Sequence, residues 1–186
     1  MKLSRVGYYT DFVVYPALIA CIGLAGLSSA GIERSVFWLT LVVASVCLWT
    51  LLEYILHRFA LHHMPVLKEM HADHHNEERA RIGTPTWVSL LVFAALVFLP
   101  IWSTSDFLVS TAVTAGLMIG YLWYISVHHI VHHWHPAHTS YVYALKRRHA
   151  LHHHYDETAN YGVTSGFWDH VFRTSVGDAS GRMQHH

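Results

Sequence analysis

The chain has 186 residues, which suits one domain better than two. Hydrophobic residues make up 53% of the chain and charged residues only 13%, well below the level of soluble domains, so the composition indicates a protein of the lipid bilayer. The 12 basic and 12 acidic side chains balance, and the lack of a basic excess argues against a nucleic-acid-binding protein.

Cysteine and histidine usage limit the chemistry further. Cys21 and Cys47 lie far apart in apolar stretches, and without a CxxC or CxxCH motif the sequence predicts no disulfide, haem attachment or iron–sulfur cluster. Histidine is abundant, with 19 residues. The terminal His185 and His186 are typical of a tag or a frayed end and are not candidate ligands.

Four apolar stretches of the sequence are long enough, or nearly so, to cross a membrane. The first could be a signal peptide, but it lacks a compact cleavage region and further apolar stretches follow it. The last two are joined by a tight polar turn and predict a helical hairpin. We therefore expect an all-α integral membrane protein, a single domain over 1–186, with spans at about 12–30, 35–56, 87–102 and 107–127.

The basic residues predict the orientation of these spans. With four spans, both termini and the segment 57–86 lie on one side of the membrane, and only Arg34 lies on the other. By the positive-inside rule the richer side is cytoplasmic, so we expect a cytoplasmic histidine-rich cap formed by 57–86 and 128–174. The basic residues on that side are Lys2, Arg5, Arg58, Lys68, Arg79, Arg81, Lys146, Arg147, Arg148, Arg173 and Arg182.

The spacing of the histidines indicates metal binding. The pattern HxxHH occurs twice, and on a helix positions i, i+3 and i+4 share a face, so each triplet is expected to direct three imidazoles at one place. Neutral imidazole binds Zn, Cu, Fe or Ni, and ten ligands are too many for one ion but suit two. Because they lie just outside the apolar stretches, we expect metals at the membrane surface, within reach of a long apolar substrate. The ten candidates are His57, His62, His71, His74, His75, His128, His132, His149, His152 and His153.

Spacing alone does not separate every ligand from its neighbours. His129 and His133 repeat the spacing of His128 and His132, about 100° further round the helix. Side chains that do not bind metal are candidates for outer partners that orient the ligands. The surplus histidines are His63, His135, His138, His154 and His170, and the candidate carboxylates are Asp73, Asp156 and Asp169.

These motifs resemble the fatty acid hydroxylase/sterol desaturase superfamily of membrane di-iron oxygenases. The signature HxxxxH, HxxHH, HxxxH, HxxHH of that superfamily is matched in full, which favours His128 and His132 over their neighbours. The stretch NYGVTSGFWD at 160–169, continued by 171–174, is similar to the closing motif of the family. Segments 53–59 and 140–146 are similar to the flanking sequence of fatty acid 2-hydroxylases.

The resemblance implies an O2-dependent lipid hydroxylase with two iron ions, a site that zinc would also fit. The implied reaction is hydroxylation at C2 of a fatty acyl chain, with two electrons from a separate cytochrome or ferredoxin-type protein. The basic run Lys146–Arg148 is a candidate docking patch for an acidic donor, the alternative being that it holds the cytoplasmic face at the lipid head groups.

The sequence departs from the family pattern at two points, and it also allows several alternative functions. With a first span near residue 12, we expect no cytochrome domain of the b type ahead of it, and Ile125 follows Tyr124 where relatives tend to carry an acidic residue. The reaction could instead be hydroxylation or desaturation of another lipid, such as a carotenoid ring, a sterol or another polar lipid. A histidine-rich metal transporter is a remote alternative, because transporters place ligands within their spans. A short chain without a retrieval signal favours a bacterial inner membrane over the endoplasmic reticulum.

Overall fold

The structure, a computed structural model, describes residues 1–177, so that Arg182, His185 and His186 lie outside the described residues. Over this range the chain is helical, and its one β pairing is an isolated bridge between Lys2 and Ile82, in agreement with the predicted all-α class. The helices are α1 (Arg5–Tyr9), α2 (Asp11–Ile55) with a π-helical turn (Leu56–Leu61), α3 (Pro65–Asn76), α4 (Thr86–Val92) with a second π-helical turn (Phe93–Phe98), α5 (Leu99–Thr104), α6 (Phe107–His133), α7 (Tyr141–His154) and α8 (Phe167–Val171).

Helix α2 consists of two helices that meet at Gly31. Its backbone there has φ 61° and ψ −176°, a conformation that is essentially restricted to glycine. The chain reverses direction at this point. Gly26 lies against the indole ring of Trp38, whereas a straight helix would hold these two residues roughly 18 Å apart. The reversal falls between the predicted spans 12–30 and 35–56.

Three helical stretches are long and apolar enough to cross a membrane: Arg5–Leu61, Thr86–Thr104 and Phe107–His133. They identify an integral membrane protein, as the composition predicts. The first stretch contains the reversal at Gly31 and therefore includes two of the predicted spans.

The chain divides into two compact units, each built from two separate segments: Met1–Trp49 with Ala80–Trp123, and Thr50–Arg79 with Tyr124 onward. The prediction of a single domain stays a prediction. In the first unit, both halves of α2 share an apolar core with the start of α6. Trp38 donates from Nε1 to Oγ1 of Thr111 (3.2 Å) and shares an apolar core with Ala112.

Three further contacts define the first unit. The hydroxyl of Tyr15 donates to Ser89 (2.8 Å) and that of Tyr121 to Asp11 (2.7 Å), within a cluster of aromatic rings. At the other end, Arg34 lies 3.3 Å from Asp106. Because Arg34 follows the reversal at Gly31 and Asp106 precedes α6, the two turns lie at the same end of this unit.

The second unit carries the histidines. It contains the end of α2, its π-helical turn, α3, the end of α6, α7, α8 and the loop between α7 and α8. Glu53, which is 3% exposed, accepts hydrogen bonds from the amides of Val163 and Thr164 (2.6 and 2.8 Å) and from the Thr164 hydroxyl (2.7 Å). Trp168 donates from Nε1 to Oγ1 of Thr50 (2.9 Å). These bonds attach the loop and α8 to the last turns of α2.

Candidate metal centre

Nine of the ten predicted histidines form two groups whose ligand nitrogens lie within 4.8 Å of one another. The first group contains His57, His62, His71, His75 and His152, and the second contains His74, His132, His149 and His153. Each group could hold a metal ion. All nine come from the second unit, although they lie on four separate helical segments.

The tenth histidine, His128, lies beside the second group. Its ring centroid is 4.6 Å from that of His74, 4.7 Å from that of His132 and 5.0 Å from that of His149. His129 and His133 pack against each other at 4.5 Å and belong to neither group. On α6, His128 and His132 therefore lie at the second group and His129 and His133 do not, which is the choice that the family resemblance favours.

The π-helical turn explains the spacing of His57 and His62. Five residues along an α-helix correspond to a rotation of about 140°, which would direct the two rings apart. A π-helical turn bonds residue i to residue i+5 and brings such positions together. Their rings accordingly stack with centroids 5.3 Å apart, and both belong to the first group.

Each HxxHH triplet is divided between the two groups, which corrects the expectation that its three imidazoles meet at one place. Helix α3 places His71 and His75 in the first group and His74 in the second. Helix α7 does the reverse, with His149 and His153 in the second group and His152 in the first. The reason is geometric: positions i+3 and i+4 differ by about 100° round a helix, so a triplet can serve two adjacent sites.

Backbone carbonyls fix the orientation of two rings in the first group. Nδ1 of His57 donates to the carbonyl of Tyr161 (2.5 Å), and Nδ1 of His152 donates to that of Ala159 (2.7 Å). A carbonyl only accepts, so Nδ1 carries the proton in both rings. Their Nε2 atoms are then free of protons in the neutral state and directed at the group, as metal-ligating histidines require.

A carboxylate lies near the second group. An oxygen of Glu78 is 3.6 Å from Nδ1 of His132 and 3.4 Å from Nε2 of His154. The sequence did not single out Glu78, because no repeat or motif marks it. Among the carboxylates that the sequence does indicate, Asp73 is exposed, and Asp156 accepts a hydrogen bond from the amide of Thr158 in the loop (2.9 Å).

Burial keeps the imidazoles neutral. Desolvation, with the nearby His75 as a second cause, lowers the pKa of His62 and of His74 to about 4. Desolvation likewise lowers the pKa of His71 and His153. Since protonated imidazole cannot bind a metal, these shifts favour the metal-binding form near neutral pH.

The arrangement of nitrogens fits metal ions. In the first group, Nε2 of His71 lies 3.0 Å from Nε2 of both His57 and His75, and the single proton of a neutral His71 cannot satisfy both contacts. In the second group, the buried Nε2 atoms of His74 and His153 have no hydrogen-bond partner among residues 1–177. A cation at each group would satisfy these lone pairs.

A cavity of about 270 Å³ opens on the first group. Its polar lining includes Lys68, Glu157 and Tyr161 beside the rings of His62 and His75. Tyr161 packs edge-on against His57, with centroids 5.6 Å apart. The sequence placed Tyr161 in the closing motif, but its contact with the histidines could not be read from spacing.

The surplus histidines lie outside both groups. His154 is 61% exposed, and Nδ1 of His63 lies 2.9 Å from the carbonyl of Arg58. His138 packs on the ring of Tyr143 with centroids 4.3 Å apart. His135 and His170 are exposed.

The basic run Lys146–Arg148 is largely structural. Nζ of Lys146 donates to the carbonyls of Val131 (2.6 Å) and Trp134 (3.1 Å), and Arg148 pairs with the buried Asp169 at 3.1 Å. Only Arg147 of the three is an exposed residue. Two of the three charges are thus engaged within the second unit, which weakens the docking interpretation.

Comparison with known proteins identifies the family. The fatty acid hydroxylase family matches residues 42–174. The fatty acid 2-hydroxylase of Rattus norvegicus is 30% identical over 82% of this chain and 44% of its own length. The dihydroceramide fatty acyl 2-hydroxylase FAH2 of Arabidopsis thaliana is 30% identical over 74% of this chain and 61% of its own. The ceramide very long chain fatty acid hydroxylase scs7 of Schizosaccharomyces pombe is 31% identical over 87% and 47%.

A solved structure agrees with these matches. Full-length Scs7p, of which only the hydroxylase domain is visible, superposes with a TM-score of 0.78 at 25% identity, over 96% of this chain and 70% of that one. The chain spans about half the length of the curated relatives it matches. These relatives are eukaryotic and lend no support to the expectation of a bacterial inner membrane. The matched family and the shared fold together establish that the chain belongs to the fatty acid hydroxylase family.

Proposed function

We propose that the two histidine groups hold two iron ions and that the chain hydroxylates a lipid acyl chain at C2 with O2. The observation that carries the proposal is the pair of adjacent all-histidine groups in a chain of the fatty acid hydroxylase family. His128 completes the second group as a fifth ligand, so that each ion has five histidines.

We propose iron and not zinc because the reaction requires a metal with redox chemistry. All-imidazole sites accept several metals, but zinc has no redox chemistry. Bound iron would supply the O2 activation that attack on an unactivated C–H bond needs. In the overall reaction one oxygen atom enters the C–H bond and the other leaves as water, with two electrons and two protons consumed. We propose that the electrons come from a cytochrome or ferredoxin-type protein.

The residues of the chain contribute orientation and exclusion of water. The carbonyls of Tyr161 and Ala159 hold His57 and His152 in the tautomer that directs Nε2 at the first group. His57 is 2% exposed and His152 is fully buried, so water does not compete with these nitrogens. Such fixed outer partners preorganise a metal site.

The proposed substrate class follows from the names of the relatives. Two of them are named for dihydroceramide or ceramide acyl chains and a third for fatty acids. We propose that the chain acts on a fatty acyl group, free or within a sphingolipid-like lipid. Hydroxylation of another lipid, such as a sterol or carotenoid, keeps the same metal site.

We also propose four membrane spans with a cytoplasmic histidine-rich cap. The reversal at Gly31 supports two spans within α2, and the Arg34–Asp106 pair supports a common end for the two turns. Arg34 is the single basic residue expected on the far side, as the positive-inside rule favours.

Lipid analysis tests the proposed reaction. Cells that express the full chain with a reductase system and iron should accumulate 2-hydroxy acyl chains, detected by mass spectrometry of hydrolysed lipids. Under ¹⁸O2 the new hydroxyl should carry the label. Lipid profiles identical to those of cells that express an inactive His152→Ala variant would contradict the proposal.

A further inference from the structure

A buried carboxylate outside both histidine groups organises the loop that orients the first group. Asp169 is 0% exposed and accepts four hydrogen bonds. Its Oδ1 accepts from the amide of Tyr161 and the hydroxyl of Thr174, both at 2.8 Å. Its Oδ2 accepts from the amide of Gly162 (2.9 Å) and from Nη2 of Arg148 (3.1 Å).

One of these bonds leads directly to a metal-group histidine. The amide of Tyr161 donates to Asp169, and the carbonyl of Tyr161 accepts from Nδ1 of His57. Asp169 thus fixes Tyr161, and the carbonyl of Tyr161 in turn orients the ring of His57. Asp169 also pairs with Arg148, which precedes His149 on α7, but among the described residues no hydrogen bond joins a ring of the second group to a residue that Asp169 holds. The carboxylate near His132 is that of Glu78.

The backbone is adapted to this contact at Gly162. A Cβ atom at this position would collide with the carbonyl of Ser165 and approach a carboxylate oxygen of Asp169. Only glycine lets the Gly162 amide and the carboxylate meet without displacing one of them. The close approach is an observation independent of the hydrogen bonds.

We propose that Asp169 is a positioning residue for the first histidine group alone. It fixes the Tyr161 carbonyl, which fixes the tautomer and direction of the His57 ring. This inference rests on the proposed binding of metal at that group. It predicts that a change at Asp169 weakens one metal site and spares the other.

The substitution Asp169→Asn keeps the shape of the side chain but replaces one acceptor oxygen by an NH2 donor. Whichever oxygen is replaced, one amide of the loop, that of Tyr161 or that of Gly162, then faces a donor instead of an acceptor, so the loop segment that carries the Tyr161 carbonyl is displaced. Loss of an outer partner of a metal ligand typically weakens metal binding about 10–100-fold. We expect a loss of that size at the first group and an unchanged second group.

Metal stoichiometry in double variants identifies the affected group. The full chain in detergent is titrated with Fe(II) without oxygen. Bound iron per chain is measured at a free Fe(II) concentration only a few-fold above the dissociation constants of the wild-type sites, where a site weakened about 10–100-fold stays mostly empty. We expect about one iron in His57→Ala, one in Asp169→Asn and still one in the combined variant. We expect none when Asp169→Asn is combined with His132→Ala. Two irons in Asp169→Asn, or an equal loss from both groups, would overturn the proposal.

Glu53→Gln is the matched control. Glu53 is also buried and binds the amides of the next two residues in the loop, but the carbonyl of Thr164 accepts from Tyr141 and not from a histidine. Glu53→Gln should not lower the iron content of the first group selectively. A selective loss equal to that of Asp169→Asn would indicate general loosening of the loop and overturn the assignment.

Gly162→Ala provides a second route if Asp169→Asn does not fold. It keeps the carboxylate and its charge but displaces it from the loop, and should also leave about one iron per chain. Two irons per chain in a folded Gly162→Ala protein would overturn the proposal. A wild-type chain that binds no iron at all would instead overturn the proposed function, so the two failures are distinguishable.

Discussion

His75 and His153 are the side chains at which the two histidine groups meet. Their rings stack at 4.1 Å with an angle of 9° between planes, although each belongs to a different group. Each is the last histidine of its HxxHH triplet, His75 on α3 and His153 on α7. The contact makes the two groups neighbours, so we expect replacement of either ring to disturb binding at both.

Loss of a single ligand should abolish activity without unfolding the protein. His152→Ala removes a fully buried ring from the first group, and we expect 2-hydroxy acyl production to fall by more than about 100-fold. His154→Ala, two residues further along α7 and exposed, should keep activity within about twofold. Product yield per membrane-inserted chain is the measurement. Equal activity of the two variants would exclude His152 from the site.

The lowered pKa values predict an acid-sensitive metal-free protein. His62 and His74 have a pKa of about 4 in the folded chain, whereas an unfolded histidine titrates near 6.5. Between these values the unfolded state binds more protons, so stability is present above about pH 6.5 and is lost as the pH falls toward 4. Thermal midpoints of chelator-treated protein should fall across this window. A midpoint that is constant from pH 7 to pH 4.5 would contradict neutral burial of these rings.

At the level of helices, Lys146 stabilises the junction of α6 and α7. Its ammonium group satisfies two carbonyls at the end of α6, Val131 and Trp134. Because hydrogen bonds from charged groups contribute about 1.5–3 kcal/mol, Lys146→Met should cost about 1–2 kcal/mol, discounted for partial exposure. In a chain of this size that lowers the midpoint of thermal unfolding by roughly 2–8 °C.

Arg147→Met is the control for Lys146→Met, since Arg147 is exposed on the same helix. We expect little change in the thermal midpoint of that variant. If Lys146 instead served to dock an electron donor, its replacement would raise the apparent KM for the donor and leave thermal stability unchanged. That pattern would restore the docking interpretation.

Gly31 governs the reversal within α2. A side chain at its φ and ψ is strained whatever the space around it, so Gly31→Ala should cost about 1–3 kcal/mol of stability. Gly23→Ala is the control, because its added Cβ would meet only the Trp38 ring at an ordinary 3.9 Å. Thermal unfolding in detergent compares the two. Similar midpoints for both variants would show that the reversal does not depend on glycine.

The helices were largely predictable from the sequence, but the division of the histidines between two groups was not. Apolar runs located α2, α4–α5 and α6 because a membrane span needs a long run, and the polar turn before Phe107 marked the hairpin. The HxxHH spacing also located α3 and α7. The π-helical turn at 56–61 was not foreseen, since the five-residue spacing of its histidines has no meaning on an α-helix.

The outer partners of the site were the least predictable part. Tyr161, Ala159 and Glu78 reach the histidines across long stretches of chain, through carbonyls or a carboxylate that no local pattern marks. The sequence indicates Asp169 as a candidate partner, but its hydrogen bonds go to the loop, Thr174 and Arg148 and not to a histidine ring. Sequence spacing reports neighbours on one helix, whereas these contacts depend on how the helices and loop pack.

At the scale of the whole chain, the proposed topology predicts labelling from opposite sides. In a background without Cys21 and Cys47, Glu33→Cys and Ser105→Cys should both react with a membrane-impermeant maleimide from the side opposite to Lys68→Cys. Both sites flank the turns that the Arg34–Asp106 pair brings together. Labelling of Glu33→Cys from the Lys68→Cys side would leave α2 as a single span and refute the four-span arrangement.

The central proposal is that the two histidine groups form a di-iron centre. The direct test is metal analysis with Mössbauer spectroscopy of the freshly purified full chain, produced in ⁵⁷Fe-enriched medium. We expect about two iron atoms per chain and spectra of high-spin, nitrogen-rich sites that change when O2 is added to the reduced protein. Chains that fold but retain no stoichiometric iron, or that hydroxylate acyl chains equally well with zinc alone, would contradict it.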